Sequence, residues 1–192
     1  MRTLIHVLSW LVLSLWLAAI VSPGVAAMSA FTQLPAEGAS IAVYEPFFGD
    51  DRAGMGRLVA GYVTDPIFTA TDAVQWLLAP VALVLTLIEW RPFRITRGVG
   101  QIIRTIAVAG ALALVVLHNG SMAPRMAENL STYRVAAAMN QPESANQALA
   151  AFDRDHRLAE SLYGVRMLLV LVAIGASAGA VALRPREREA TS

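Results

Sequence analysis

Two residue types are missing from this chain. It has no cysteine, and all 15 of its basic residues are arginine, with no lysine. Without cysteine, neither a disulfide framework nor a thiolate metal site can form. Physics alone does not bar lysine from every surface loop, so the arginine-only pattern reads as the coding bias of a GC-rich bacterium. Charge is scarce as well: 15% of the 192 residues are charged, against about a quarter in an average soluble domain. Histidine occurs three times. The chain also lacks a nucleophile elbow, a phosphate loop, an HExxH pair and a basic stripe, which removes the usual enzyme signatures and nucleic-acid partners.

What is abundant is apolar surface. Hydrophobic residues make up 56% of the chain and the mean hydropathy is +0.55, the composition of a membrane protein. Crossing a bilayer takes about 20 largely apolar residues, and four stretches qualify: residues 4–27, 67–89, 100–117 and 162–183. The expected fold is therefore all-α, a single-domain integral membrane four-helix bundle with the lipid bilayer as its first partner. Arg104 stands one turn inside the third stretch, where it can snorkel to the headgroups. Arg2, the first apolar run and VAA before Met28 also fit a secretory signal cleaved after Ala27. That run is longer than the usual signal core, so it is expected to stay as a helix.

Arginine placement sets the expected orientation. Arg2 precedes the first span, Arg91, Arg94 and Arg97 fill the link between spans two and three, and Arg184, Arg186 and Arg188 follow span four. Positive charge favours the cytoplasmic side. Both termini and the tail 184–192 are therefore expected in the cytoplasm of a bacterium, with segments 28–66 and 118–161 outside the inner membrane.

Short amphipathic helices are expected in the outer segments. In RAGMGRLVAGYVTD, residues 52–65, helical spacing puts Met55, Leu58, Val59, Tyr62 and Val63 on one face. A bend is expected at Asp65–Pro66, and GDD at 49–51 supplies a turn before the helix. Asn119-Gly120 reads as a turn that ends span three, with Pro124 restarting a helix to about Met139. NQPES at 140–144 breaks that helix and starts the next. There, Leu149, Phe152, His156 and Tyr163 share a face that runs on into span four. Small-xxx-small pairs Gly175/Gly179, Ala107/Ala111 and Ala109/Ala113 make spans three and four the expected tightest pair.

Three short motifs then stand at the outer helix ends. Phe31, Leu34 and Pro35 form Phe-x-x-Leu-Pro after the first span, Pro124-Arg125 follows the third, and Phe152 and His156 form Phe-x-x-x-His before the fourth. In these the chain resembles the bacterial domain-of-unknown-function family 4149, whose fold is shared with eukaryotic transmembrane protein 205. The chain departs from that family's pattern where Arg157 follows His156, the family having His-Gly and a serine, and in its longer outer segments. The resemblance implies a small helical bundle without a settled activity. It also implies a distant kinship with copper-resistance and haem-pathway membrane proteins that use histidines near helix ends.

The candidate site residues fall into two groups. HNGSMAPRM, residues 118–126, offers His118, Met122 and Met126, soft ligands suited to copper. The plainer reading makes His118 an interfacial polar residue and packs both methionines against neighbouring helices. An outward-facing polar cluster of Arg125, His156, Asp153 and Glu160, with Asp72 nearby, would bind a metal ion or a partner subunit. In it, Arg125 sits at a helix N-terminus, where a cation is unfavourable, so a carboxylate among Asp153, Asp155 and Glu160 should hold it. Arg166 could pair with Asp72, and Glu89 with Arg91 or Arg94. The alternatives are a haem- or copper-linked redox protein with His118 and His156 as axial ligands, and an accessory subunit of a membrane complex or a self-associating protein.

Overall fold

The computed structural model describes residues 2–90 and 98–182. Arg91, Arg94 and Arg97, Leu183 and the tail 184–192 with Arg184, Arg186 and Arg188 lie outside the described residues, as do the side chains of Arg2 and Gly179. Long rods dominate. Helix α1 spans Arg2–Ala36. A 3₁₀ turn (Ala42–Tyr44) and the one-turn helix α2 (Glu45–Phe48) lead to α3, Arg52–Trp90. Helix α4 covers Val99–Leu117, a π-helical turn occupies His118–Met122, α5 covers Ala123–Ala138, and α6 runs from Pro142 to Ala182. Among the described residues there is no strand, so the fold is an all-α bundle.

Each of the four rods is long and apolar enough to cross a membrane. At 35 to 41 residues and 1.5 Å per residue they reach roughly 50–60 Å, about twice the hydrocarbon thickness. Every expected span therefore continues beyond its apolar stretch. Helix α1 runs past Ala27 to Ala36 before Gly38, with φ +67°, turns the chain. Asp65–Pro66 leaves α3 unbroken; the hydroxyls of Thr64, Thr69 and Thr71 donate to carbonyls of the preceding turn around it.

The expected break at Asn119-Gly120 is absent. The chain stays helical and only widens into a π turn, where Asn119 Nδ2 donates to the Val115 carbonyl and Ser121 Oγ to that of Leu117. Helices α4 and α5 are thus one 40-residue rod, and Arg125 does not sit at a helix N-terminus. The true break lies where NQPES was expected to make it. Asn140, with φ 52°, closes α5 and the Gln141 amide returns to the Ala136 carbonyl.

The starts of α1 and α4 and the ends of α3 and α6 share one end of the bundle, here the terminal end. Ser9 and Arg104 both meet Glu89 there, and Gly100 faces the Ala176 carbonyl. The bundle holds two apolar cores. The first lies in the apolar stretches and includes Leu13, Trp16, Ile20, Ala79, Ala107, Val108, Ala111, Val170 and Ala173. The second, toward the far end, joins Tyr44, Met55 and Leu58 to Tyr133, Ala136, Ala145 and Ala148. Alanine at these positions lets the backbones approach closely.

Helix faces differ from expectation in three places. Gly175 is exposed with open space around it, as are Ala109 and Ala113, while Ala173, Ser177, Ala107 and Ala111 face the interior. Met55 and Leu58 are buried, but Tyr62 and Val63 lie on the surface. The buried seam of α6 runs through Ala148, Asp155, Ala159 and Arg166, one position away from Leu149, His156 and Tyr163. In the apolar stretches, Leu11, Leu15, Leu77, Val84, Ile106 and Leu168 stand exposed, a surface suited to lipid rather than water.

Candidate functional site

A polar layer separates the two apolar cores, built around Tyr163. Asp72 and Gln75 come from α3, one turn apart; His118 comes from the π turn; Tyr163 and Arg166 come from α6. The Tyr163 hydroxyl donates to Asp72 Oδ1 at 2.5 Å and accepts from Gln75 Nε2 at 3.1 Å. Gln75 Nε2 also lies 3.4 Å from Asp72 Oδ1. His118 Nε2 stands 3.4 Å from Asp72 Oδ2, and its ring meets the Tyr163 ring edge-on at 5.4 Å. The Arg166 guanidinium lies over the Tyr163 ring, 3.8 Å from its centre. Gln75, His118 and Arg166 are buried, Arg166 at 1% exposure, while Asp72 and Tyr163 reach the surface.

Burying a carboxylate costs several kcal/mol unless hydrogen bonds replace its water. Asp72 meets that condition with three partners drawn from three elements. Arg166 does not: among the described residues none of its three nitrogens meets a partner at hydrogen-bond geometry, and the same holds for His118 Nδ1 and Gln75 Oε1. The expected direct pair between Arg166 and Asp72 is not formed. Tyr163 stands between them, offering its ring to the cation and its hydroxyl to the anion.

The outer cluster expected around Arg125 and His156 is looser. Arg125 Nε lies 3.3 Å from Asp155 Oδ2, so the expected carboxylate partner is Asp155. The Arg125 side chain remains 57% exposed, which makes this a surface pair. His156 is half-buried rather than enclosed; it stacks on Phe152 at 5.1 Å and its Nε2 lies 3.3 Å from Glu160. Asp153 joins no ion pair or hydrogen bond among the described residues. Of the motif residues, Pro35 contributes by contact: a methyl at Gly56 would fall 2.4 Å from its Cα.

His118 touches Tyr163, whereas His156 sits two turns earlier on α6, about 10 Å along the axis. Among the described residues no group of three His, Asp or Glu side chains is placed to hold a metal ion. Met122 is buried beyond His118, and Met126 is half-buried.

A second polar group closes the terminal end. Glu89 accepts from Ser9 Oγ at 2.8 Å and from the buried Arg104, and His6 Nδ1 stands 3.7 Å away. The His6 Nε2 accepts from Trp10 Nε1 at 3.1 Å, which leaves the His6 proton on the nitrogen that faces Glu89. Arg104 therefore does not snorkel, and Glu89 has a partner on the next helix; Arg91 and Arg94, expected beside Glu89, lie outside the described residues. Sequence reasoning missed the Glu89–Arg104 pairing, together with the place of Gln75 and Tyr163 beside Asp72.

Nearer the far end, Arg134 Nη1 bonds Asp65 at 2.9 Å and its guanidinium lies 4.0 Å from the Tyr62 ring centre. The Tyr62 and Tyr44 hydroxyls meet at 2.5 Å. Burial, and then the bond to Tyr62, push the Tyr44 phenol up to about 12.

No family model, curated protein or solved structure matches this chain.

Proposed function

We propose that this is a small multi-pass protein of the bacterial inner membrane that works by binding rather than catalysis, and that its binding site is the polar layer around Tyr163. The observation that carries the reading is Asp72, a carboxylate inside an apolar stretch whose partners come from α3, the π turn and α6. Packing alone would fill that level with alanine and valine, as it does one core further along. Ionisable groups at such depth usually mark a ligand or ion site. The arginine asymmetry puts the terminal end in the cytoplasm, so the layer faces outward. The resemblance to family 4149 agrees with a compact bundle of this kind.

A metal reading is favoured by one feature only, the free Nδ1 of His118 with Met122 buried one turn on, a pair suited to Cu(I). The test serves both readings. The chain is purified from native membranes and its non-protein content is measured by mass spectrometry and metal analysis, beside Asp72→Asn. A retained component, organic or metallic, that falls at least about tenfold in Asp72→Asn is the expected result, a loss of the size that breaking charged hydrogen bonds produces. A wild-type chain that retains nothing, or a component indifferent to Asp72, defeats it.

A further inference from the structure

Five polar atoms around Tyr163 lack a hydrogen-bond partner among the described residues: Nε, Nη1 and Nη2 of Arg166, Oε1 of Gln75 and Nδ1 of His118. Three facts make this more than loose packing. First, the guanidinium is 1% exposed, so solvent at the surface does not serve it. Second, Asp72, the one carboxylate at this level among the described residues, is already engaged, Oδ1 with Tyr163 and Gln75 and Oδ2 facing His118. Third, the Gln75 amide cannot be turned round to ease its own orphan, because that would set its carbonyl against the Asp72 carboxylate.

The unmet groups define a ligand by complementarity. Arg166 offers a planar fork of donors, the geometry that matches phosphate or carboxylate oxygens. Gln75 Oε1 asks for a donor. The layer lies about one turn inside the apolar stretch that begins at Ile67, at the depth where lipid phosphates give way to hydrocarbon. Asp72 and Tyr163 reach the surface there, and with Arg166 1% exposed a ligand meets the guanidinium only once these two side chains swing aside.

We propose that the layer holds an oxyanion headgroup carrying its own hydrogen-bond donor, a phosphate on Arg166 with a neighbouring hydroxyl on Gln75. An anionic lipid phosphodiester with a glycerol headgroup has this chemistry, and so does free glycerol phosphate. The inference rests on the reading of the layer as a binding site and adds the class of ligand.

The full chain in neutral detergent is titrated with short-chain phosphatidylglycerol, with glycerol 3-phosphate, and with diacylglycerol of the same chains as a phosphate-free control. Native mass spectrometry reads occupancy, and thermal unfolding reads the shift. Phosphatidylglycerol should bind at least about tenfold more tightly than diacylglycerol, and Arg166→Gln should remove that margin. Tight binding of the lipid alone assigns the site to a membrane lipid; equal binding of glycerol 3-phosphate assigns it to a soluble ligand. Should Arg166→Gln not fold, Arg166→Lys keeps the charge without the fork and should bind several-fold more weakly. The proposal is overturned if phosphatidylglycerol binds no better than diacylglycerol, or if the Arg166 variant that folds keeps wild-type affinity. A native component lost in Asp72→Asn but unrelated to any phosphate probe would leave the site standing and remove only its ligand class.

Discussion

At the scale of single residues, burial decides which charges matter. Glu89 and Arg104 form a pair whose arginine side chain is 3% exposed, whereas the Arg125 side chain paired with Asp155 is 57% exposed. Breaking a buried pair strands a charge and costs roughly 3–5 kcal/mol, while an exposed pair is worth at most about 1 kcal/mol. Thermal unfolding in detergent should show Glu89→Gln far less stable than wild type and Arg125→Ala close to it; the reverse order would show that Arg104 finds another acceptor. The Tyr44 phenol belongs to the same scale. Its folded value of about 12 lies above the ordinary value near 10, about that of the unfolded chain. Between those values the unfolded chain releases the proton that the folded one keeps. Stability contributed by the Tyr44–Tyr62 contact is thus complete below pH ~10 and lost as pH rises toward ~12. Between those pH values stability should fall more steeply in wild type than in Tyr44→Phe, and tyrosinate absorbance should show one late-ionising phenol fewer in the variant.

Helices are where sequence and structure part company most clearly. Hydropathy marks where lipid ends, not where a helix ends. All four rods run on because their outer halves have a core of their own in Met55, Leu58, Tyr133 and Ala145. Asn119-Gly120 would turn a chain entering water unsupported; here the helix has Ala136 and Ala137 to bury further on, and the side chains of Asn119 and Ser121 serve carbonyls of the widened turn. The candidate site was partly legible for a related reason. Asp72 and His118 announce themselves as polar groups at the ends of apolar runs, and Arg166 as a possible partner of Asp72, but Tyr163 reads as one more member of an apolar face and nothing in the sequence sets its ring between the two. Arg104, which its place one turn inside span three sent to the headgroups, instead packs against Glu89; the expected partners Arg91 and Arg94 lie outside the described residues. Contact between α1 and α3 can be tested at one position. A methyl on Gly56 would meet the Pro35 backbone at 2.4 Å, and backbone cannot swing aside as a flexible side chain can. Gly56→Ala should therefore lower stability by about 1–3 kcal/mol despite alanine's better helix propensity. An unchanged or raised melting temperature would show that α1 slides freely along α3.

For the molecule as a whole, sidedness is the property most open to test. Alkaline phosphatase fused after Asp51 or Asn140 should be active, and fusions after Arg94 or Arg186 inactive. Activity at Arg94 would reverse the orientation and turn the Tyr163 layer to the cytoplasm. Helix α1 supplies Leu13, Trp16 and Ile20 to the membrane core, so intact mass of the membrane form should show residues 4–27 still attached. A chain starting at Met28 would open to lipid the faces of α3 and α6 that α1 now covers.

Because the rods cross from lipid to water without a break, the bilayer meets them as it would meet a marked gauge. Asp72 and Glu89 sit about 25 Å apart along α3 at 1.5 Å per residue, and both are tied to neighbouring helices. A membrane whose oily layer is thicker than that gauge would submerge one of the two polar groups. The protein can answer only by tilting as a whole or thinning its lipid annulus, since no joint lets one half adjust alone. In bilayers of graded acyl length the melting temperature should therefore pass through a maximum and fall on both sides, by fractions of a kcal/mol per Å of mismatch.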